Sequence, residues 1–488
     1  MTSKPKLRAN CLNFWEVLAQ AIALISPTMT AALIVPLMFG TAGALGWLCY
    51  AFGTVMLLFV AMNLNQFARR STTAGSMYDY SVRGLGKAGG GIGGWCLIWA
   101  YLFIGIAGVT GFTHFAKLLL GMMGVPNVPV LSIGLFAACA LAAWVFAYKD
   151  IKLSTIMMLI LEGISVALIL ILMAVVSVHT GVVDATQIDF TGTSLSTIGL
   201  GVVVAVFSLV GFECATAFGE EAKNPLKIIP RAVITSLIVT GLFFVFVTYM
   251  ETLALKGHKP TLDQLAAPLS TLSKMVHLPW LGVLISAGAM LSFFSLSLSC
   301  MNAGARIIFS MGRSGVFHSA AASSHHKNLT PHIAITTLAI LQFTIPTLGI
   351  LASVMGVGGF QMAVLDAFNW AGTFGAFGFC GAYFVISLAT PMYLKRIGQL
   401  KPLNIIISAM AVLLLLVPAI GTVYPVPTPP VNYFPYIFGG YILVGIIWIA
   451  GFRRDKVPVE EPLLVPRDLI SDGSTIEGAD DSPAPAAL

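Results

Sequence analysis

The stretch Val206-Phe207-Ser208-Leu209-Val210-Gly211-Phe212-Glu213 interrupts an otherwise apolar run with a glycine and a carboxylate. Glycine weakens a helix at this point. An acid at membrane depth is energetically expensive, so Glu213 is a candidate functional residue. The alternative is a structural acid satisfied by neighbouring backbone amides. The run is long enough to span a bilayer, and it predicts a membrane helix broken near its middle.

A second interruption lies near the N-terminus, at Ser26-Pro27-Thr28-Met29-Thr30. Proline has no amide hydrogen, and its ring clashes with the carbonyl of Ala23 in a continuous helix. Freed backbone groups in lipid must find partners, so a broken helix persists only beside protein or a wet cavity. The alternative is a simple proline kink. Together with the first interruption, this stretch predicts a second broken membrane helix.

The composition requires a bilayer around most of the chain, since 57% of the 488 residues are hydrophobic and only 9% are charged. Soluble domains carry about a quarter charged residues. Apolar runs of about 20 residues predict twelve transmembrane helices. The predicted starts are Trp15, Thr41, Ile92, Val130, Leu153, Thr197, Arg231, Trp280, Pro331, Ala363, Pro402 and Tyr433.

The distribution of basic residues predicts the orientation. With a cytoplasmic N-terminus, 22 of the 26 lysines and arginines fall on the cytoplasmic side, and only Lys117, Lys256, Lys259 and Lys274 fall outside. This asymmetry supports an even number of spans with both termini cytoplasmic, in a bacterial inner or plasma membrane. The basic charge is explained by topology, so no nucleic-acid partner is expected.

The two interruptions occupy matching positions, in the first and sixth spans. Five spans per half is an odd number, so the second half enters the membrane from the opposite side. Interrupted helices at matching positions of inverted halves indicate a transporter site. Half-helix ends offer amides to a carboxylate and carbonyls to an ammonium group. The predicted divisions are an N-terminal tail (1–13), two repeats (14–178 and 197–390), two further helices (402–452) and a disordered cytoplasmic tail (453–488).

Several motifs in order resemble the amino acid–polyamine–organocation superfamily of permeases, through spans one to ten. They are Phe207–Glu213, Gly219–Pro225, Ile229–Ala232, Thr73–Tyr80, Asn302–Arg306 and Met311–Gly315. The resemblance implies the leucine-transporter fold, an all-α polytopic protein with a five-plus-five inverted repeat, here followed by two C-terminal helices.

The resemblance also implies a substrate pocket between the broken parts of the first and sixth helices. Phe207 occupies the position of the family's aromatic lid. The expected substrate-binding residues are Ser26, Pro27, Thr28, Met29, Thr30, Tyr101, Phe207, Ser208, Val210, Gly211 and Glu213. Met29-Thr30-Ala31 replaces a Gly-Ser-Gly-like turn, which crowds the ligand. An α-amino acid is the first expectation, and a polyamine or another small amine stays open.

Candidates for coupling and for an ion path lie on the fifth and eighth helices. Many family members have a lysine in the fifth helix, whereas this chain has Glu162, with Ser165 near the lysine position. Glu162 is a candidate proton relay; the alternative is a structural acid near the cytoplasmic side. Ser295 and Ser299 share one face of the eighth helix with Ser292 and Asn302. Such hydroxyls line a path or join helices.

The function predicted from these features is secondary active transport of an amino acid by alternating access, with proton symport or exchange. The other class considered is a channel or non-transporting sensor, although no filter-like repeat or charged ring is visible. No pattern of an intramembrane enzyme is found, and neither a cofactor nor a metal site is expected. The expected partners are the small solute, a proton and the bilayer, and the oligomeric state is left open.

Overall fold

The computed structural model describes residues 7–189, 195–424 and 426–451, and within these ranges the fold is helical. The predicted tail at 453–488 lies outside the described residues. The helices are α1 (Phe14–Ile25), α2 (Pro27–Met29), α3 (Val35–Ala42), α4 (Gly46–Ala68), α5 (Ser76–Met122), α6 (Pro129–Lys149), α7 (Ile151–Thr180), α8 (Leu195–Leu209), α9 (Pro225–Ala254), α10 (Pro268–Met275), α11 (Pro279–Arg313), α12 (His332–Val354), α13 (Val364–Arg396), α14 (Pro402–Gly421) and α15 (Phe434–Gly451).

Eleven helical stretches within the described ranges are long and apolar enough to cross a membrane. The first, Phe14–Ala68, has 55 residues and contains both the first and the second predicted spans. Inside it, Gly43 departs from helical geometry, with φ 59° and ψ −138°. The protein is therefore an integral, all-helical membrane protein, and the count of twelve spans stays a prediction.

Two helices extend further toward the N-terminus than the apolar runs that predicted them. Helix α5 begins at Ser76 instead of Ile92, with a kink at Gly86, where φ is 78°. The glycine-rich run continues the helix because its small residues admit close neighbours: a side chain at Gly94 would meet Met311. Helix α9 begins at Pro225 instead of Arg231, since proline is well suited to the first helical position, where its missing amide hydrogen costs nothing.

The first span is interrupted at Ser26. Its backbone is left-handed, with φ 50° and ψ 74°, and its amide donates to the carbonyl of Ile22 at 2.8 Å. Helix α1 therefore ends as a capped helix, and Pro27 begins the short α2, which continues into a π-helical segment, Thr30–Ile34. The predicted break is confirmed, but the residue that leaves the helical conformation is Ser26 and not the proline.

The sixth span is interrupted at Gly211. Helix α8 ends at Leu209, Gly211 has φ 114° and ψ −13°, and a 3-10 segment, Phe212–Phe218, follows. A Cβ atom added to Gly211 would lie 2.9 Å from the side chain of Leu24, two residues before the break in the first span. The two breaks are thus neighbours, and glycine is required at 211 both by its backbone angle and by this close approach.

Helix α5 forms the centre of the surrounding bundle, where it packs along both α11 and α13. Small residues allow these contacts. A Cβ atom at Gly108 of α5 would lie 2.7 Å from the amide nitrogen of Ser297, and one at Gly378 of α13 would lie 2.6 Å from the carbonyl of Cys96. Close approach at small residues is the usual basis of helix association in membranes. These three helices give the broken segments a rigid support.

Candidate functional site

The carboxylate of Glu213 is buried beside the second break and is fully hydrogen-bonded. Its Oε2 atom accepts from the hydroxyl of Tyr383 at 2.5 Å and from the amide of Gly211 at 3.0 Å. Its Oε1 atom accepts from the hydroxyl of Tyr101 at 3.1 Å. Three donors from α5, α13 and the break itself hold this acid in place. The arrangement supports a positioning role for Glu213 and leaves its oxygens little capacity to bind cargo.

Glu213→Gln is expected to lower the free energy of unfolding by about 1–3 kcal/mol, the cost of leaving a buried donor unsatisfied. Glutamine has one acceptor oxygen and one NH₂ group. Either Tyr101, or Tyr383 together with Gly211, would therefore meet an NH₂ donor instead of an acceptor oxygen. Thermal unfolding of the purified protein measures the effect. Glu220→Gln, at a partly exposed acid nearby in the chain, is the control. Equal melting temperatures for the two variants would contradict this account.

The carboxylate of Glu162, on α7, lies at the first break. Its Oε1 atom accepts from the amide of Thr28 at 3.3 Å and from the Thr28 hydroxyl at 3.2 Å. Its Oε2 atom accepts from the hydroxyl of Ser292 at 2.5 Å. The hydroxyl oxygens of Ser292 and Ser26 are 3.0 Å apart. A carboxylate from within the protein therefore occupies the amide end of the half-helix that begins at Pro27.

The serine face of α11 joins both breaks. Ser292 contacts the first break through Ser26, and Ser299 donates to the carbonyl of Gln20 on α1 at 2.8 Å. The hydroxyl of Ser299 is also 3.7 Å from the sulfur of Cys214, just after the second break. Ser295 lies between these serines on the same face, and its buried hydroxyl has no protein partner among the described residues. Its free hydroxyl makes Ser295 a candidate cargo contact.

The other predicted substrate-binding residues lie around the same two breaks. Met29 and Val210 are buried, and the hydroxyl of Thr30 is buried without a hydrogen-bond partner within the described ranges. Ser208 is engaged by the hydroxyl of Tyr50 at 3.0 Å. The ring of Phe207 is partly buried and lies against α13, because a Cβ atom at Gly372 would be 2.4 Å from it.

Ser165 makes none of these contacts. Its hydroxyl oxygen is 2.9 Å from the carbonyls of both Leu161 and Gly288, and the second contact joins α7 to α11. Three hydrogen bonds were not predicted from the sequence. They join Tyr383 to Glu213, Ser299 to the backbone of Gln20, and Ser292 to Glu162. A polar residue within an apolar span is the only signal that the sequence offered for Tyr383 or Gln20.

A buried ion pair lies at the end of α11 beyond the breaks. Arg306 donates to Glu221 through Nε at 2.5 Å and through an Nη atom at 2.8 Å, and its guanidinium stacks 4.5 Å from the ring centre of Phe218. The backbone carbonyl of Glu221 also accepts from the amides of Cys11 and Leu12. The pair connects α11 to the segment after the second break and to the residues before α1.

A bundle of membrane-length helices, with two adjoining breaks that are surrounded by buried polar groups, defines the chain as a polytopic membrane permease. Residues 16–461 match the family model described as "Amino acid permease". The chain belongs to this family.

Curated relatives include transporters of different solutes. The chain is 26% identical over 345 residues to the branched-chain amino acid permease BcaP of Bacillus subtilis (strain 168), covering 67% of this chain and 72% of that protein. It is 27% identical over 282 residues to the low-affinity putrescine importer PlaP of Escherichia coli (strain K12), covering 55% and 59%. It is 26% identical over 481 residues to the methylthioribose transporter of Bacillus subtilis (strain 168), covering 92% and 91%.

Proposed function

We propose that the protein is a secondary active transporter that moves an α-amino acid across a bacterial plasma membrane by alternating access, with a proton as the coupling ion. The observation that carries the proposal is the adjacency of the two breaks, with Gly211 in contact range of Leu24. Membership of the amino acid permease family supports the same reading. The cargo site lies between Ser26–Thr30 and Val210–Gly211, with Phe207 as the lid.

The proposed topology has twelve spans and cytoplasmic termini. The stretch Phe14–Ala68, with its 55 residues, supports two crossings. A helix of that length extends over about 80 Å, which is more than twice the roughly 30 Å of bilayer hydrocarbon. Gly43, with its non-helical backbone, is the proposed turn between the two crossings. The positive-inside distribution of lysine and arginine supports the orientation.

Glu162 is the proposed coupling residue, because its contacts join a titratable group to the cargo site. While ionised, it accepts hydrogen bonds from the amide and the hydroxyl of Thr28. A proton on Glu162 weakens these charge-assisted bonds and frees the Thr28 donors for the carboxylate of an incoming amino acid. Cargo and proton therefore bind together, which is the requirement for symport.

An amine is the second candidate cargo, and the charge balance of the buried residues favours it. Within the described ranges Arg306 is the only fully buried basic side chain, and it is paired with Glu221. Among the described residues the partners of Glu162 and Glu213 are hydroxyls and backbone amides and not basic groups, so an additional cargo carboxylate would enter an already anionic site. In this version Glu162 stays ionised and binds the ammonium group directly. The resemblance to a putrescine importer is consistent with it.

A thermal-shift panel of amino acids and amines, followed by uptake of labelled hits into proteoliposomes, tests the proposed function. A ligand that binds only the folded state stabilises it by mass action and so raises the melting temperature. The gain in the free energy of unfolding is about 2.7 kcal/mol at a hundredfold excess over Kd. We expect a stabilising ligand that is also concentrated or exchanged. Folded protein that moves none of the panel contradicts the proposed function.

Glu162→Gln distinguishes the two cargo classes. If a proton on Glu162 admits an amino acid, wild-type affinity rises as pH falls, and the neutral glutamine binds tightly at every pH. If ionised Glu162 holds an amine, the substitution removes a charged hydrogen bond of about 1.5–3 kcal/mol, so affinity falls roughly ten- to a hundredfold. Ligand titrations at several pH values measure the difference, with Glu220→Gln as control. If Glu162→Gln keeps the affinity and the pH dependence of the wild type, Glu162 has neither of these two roles.

A further inference from the structure

A second buried acid, Glu251, belongs to neither break. It lies on α9, is fully buried, and neither of its carboxylate oxygens has a hydrogen-bond partner among the described residues. The hydroxyl of Thr248, one turn earlier on the same face, is also buried without a partner. Burying an unpaired ionised carboxylate costs several kcal/mol, so such a group binds a cation or takes up a proton.

The titratable side chains on the helical segments packed against α9 do not supply a counter-charge. The exposed ones point to the surface, and the buried ones have other partners, such as Ser208 for Tyr50 and Thr28 for Glu162. These side chains are Glu16, Cys49, Tyr50, Lys152, Glu162, His179, Glu213, Cys214 and Lys274. The pattern leaves the charge of Glu251 uncompensated within the part of the chain that the structure describes.

Two charged loop residues beside the end of α9 form their own pair. Beyond the end of α9, Lys256 donates to Asp184 at 2.8 Å. Burial raises the pKa of Asp184, but hydrogen bonds from Lys256 and Thr186 outweigh it and hold that pKa at about 2. Asp184 is therefore ionised across the physiological range and keeps Lys256 engaged. Asp263 lies against Gly40 of α3 and adds a negative charge, not a positive one.

A proton fits this site better than a metal cation does. Hard cations require several oxygen ligands, whereas the free side-chain oxygens that α9 itself offers are the two of Glu251 and the hydroxyl of Thr248. The backbone carbonyl of Glu251 is used within the helix, because it accepts from the amide of Leu255 at 3.0 Å. A proton needs only one of the carboxylate oxygens.

A cavity lies on the loop side, beside the end of α9 that carries Glu251. This surface cavity is lined by Thr252, Leu255, Lys256 and Asp184, among other residues. Leu255, the first residue after α9, lines this cavity and follows Glu251 by four positions, so it lies near the side of the helix that carries the carboxylate. We propose that Glu251 is a second proton-binding residue, distinct from Glu162, which holds a proton in this conformation and exchanges it through the cavity beside Leu255.

Infrared titration of the reconstituted full-length protein tests the assignment without any transport measurement, so its outcome is separate from that of the proposed function. We expect a protonated-carboxyl stretching band that is lost as pH rises. One component of the band should be missing from Glu251→Gln, and the same component should be retained in Glu162→Gln and in the surface control Glu220→Gln. A band unaffected by Glu251→Gln, or one that never titrates in folded protein, overturns the proposal.

A second variant tests the proposal if Glu251→Gln does not fold. Leu255→Ala retains the carboxyl group and removes most of a side chain that lines the cavity beside it. Deuterium exchange of the carboxyl proton, followed as a shift of the same band, is expected to become faster than in wild type. An exchange rate equal to that of wild type contradicts the proposed route.

Discussion

Gly211→Ala is expected to destabilise the protein by about 2–5 kcal/mol and to abolish cargo binding. The left-handed conformation costs a residue with a Cβ atom about 1–2 kcal/mol. The new methyl group would also lie 2.9 Å from Leu24, and overpacking of this kind costs about 1–3 kcal/mol. Relief of the clash requires the two breaks to separate, which removes the site that both are proposed to form.

Gly199→Ala is the matched control for this substitution. Gly199 lies on α8, and a Cβ atom there meets nothing within 4 Å. Alanine in a helix interior is favoured over glycine by about 0.5–1 kcal/mol, so the control is expected to be as stable as wild type or slightly more so. Melting temperatures and ligand titrations compare the pair. If both alanine variants melt and bind alike, the breaks do not adjoin as described.

Arg306→Met is expected to lower the free energy of unfolding by about 3–5 kcal/mol, the usual cost of leaving one charge of a buried pair without its partner. The side chains of Arg306 and Glu221 are 1% and 0% exposed. The substitution therefore leaves the buried carboxylate of Glu221 without its partner. The backbone carbonyl of the same residue accepts hydrogen bonds from the amides of Cys11 and Leu12. Chemical or thermal unfolding of the purified protein gives the measurement.

A second arginine on α11 supplies the control. Arg313 pairs with Glu220 at 2.9 Å, with side chains 36% and 30% exposed. Exposed pairs contribute about 0–1 kcal/mol, so Arg313→Met should be nearly neutral. The double variant Arg306→Met with Glu221→Gln should recover part of the lost stability, because no unpaired charge remains. A loss for Arg306→Met no larger than that for Arg313→Met would contradict a buried, structurally important pair.

The apolar runs predicted the helical class and the positions of most spans, because a 20-residue apolar run has few other solutions in a bilayer. The predicted start of the third span lies too far along the chain, because the glycine run at 89–94 was assigned to a loop. A run of glycines in a sequence usually indicates a loop. Here the contact between Gly94 and Met311 requires a residue without a side chain. Such a contact depends on how helices pack, which a single sequence does not report.

The candidate site was predicted as a set of positions but not as a set of partners. Pro27 and Gly211 indicated the two breaks, yet Ser26 takes the left-handed conformation, which propensity assigns to glycine or asparagine. Glu162 is distinguished in the sequence as an acid within an apolar span, but its hydrogen bond with Thr28 is a tertiary contact. The same signal is present at Glu251, a single acid near the end of the seventh predicted span.

A cryo-electron microscopy structure of the reconstituted protein, saturated with the most stabilising ligand of the thermal-shift panel, tests the central claim most directly. We predict ligand density between Ser26–Thr30 and Val210–Gly211, with both segments departing from helical geometry. Continuous helix through Ser26 and Gly211, or ligand bound only elsewhere in the protein, would contradict the proposal.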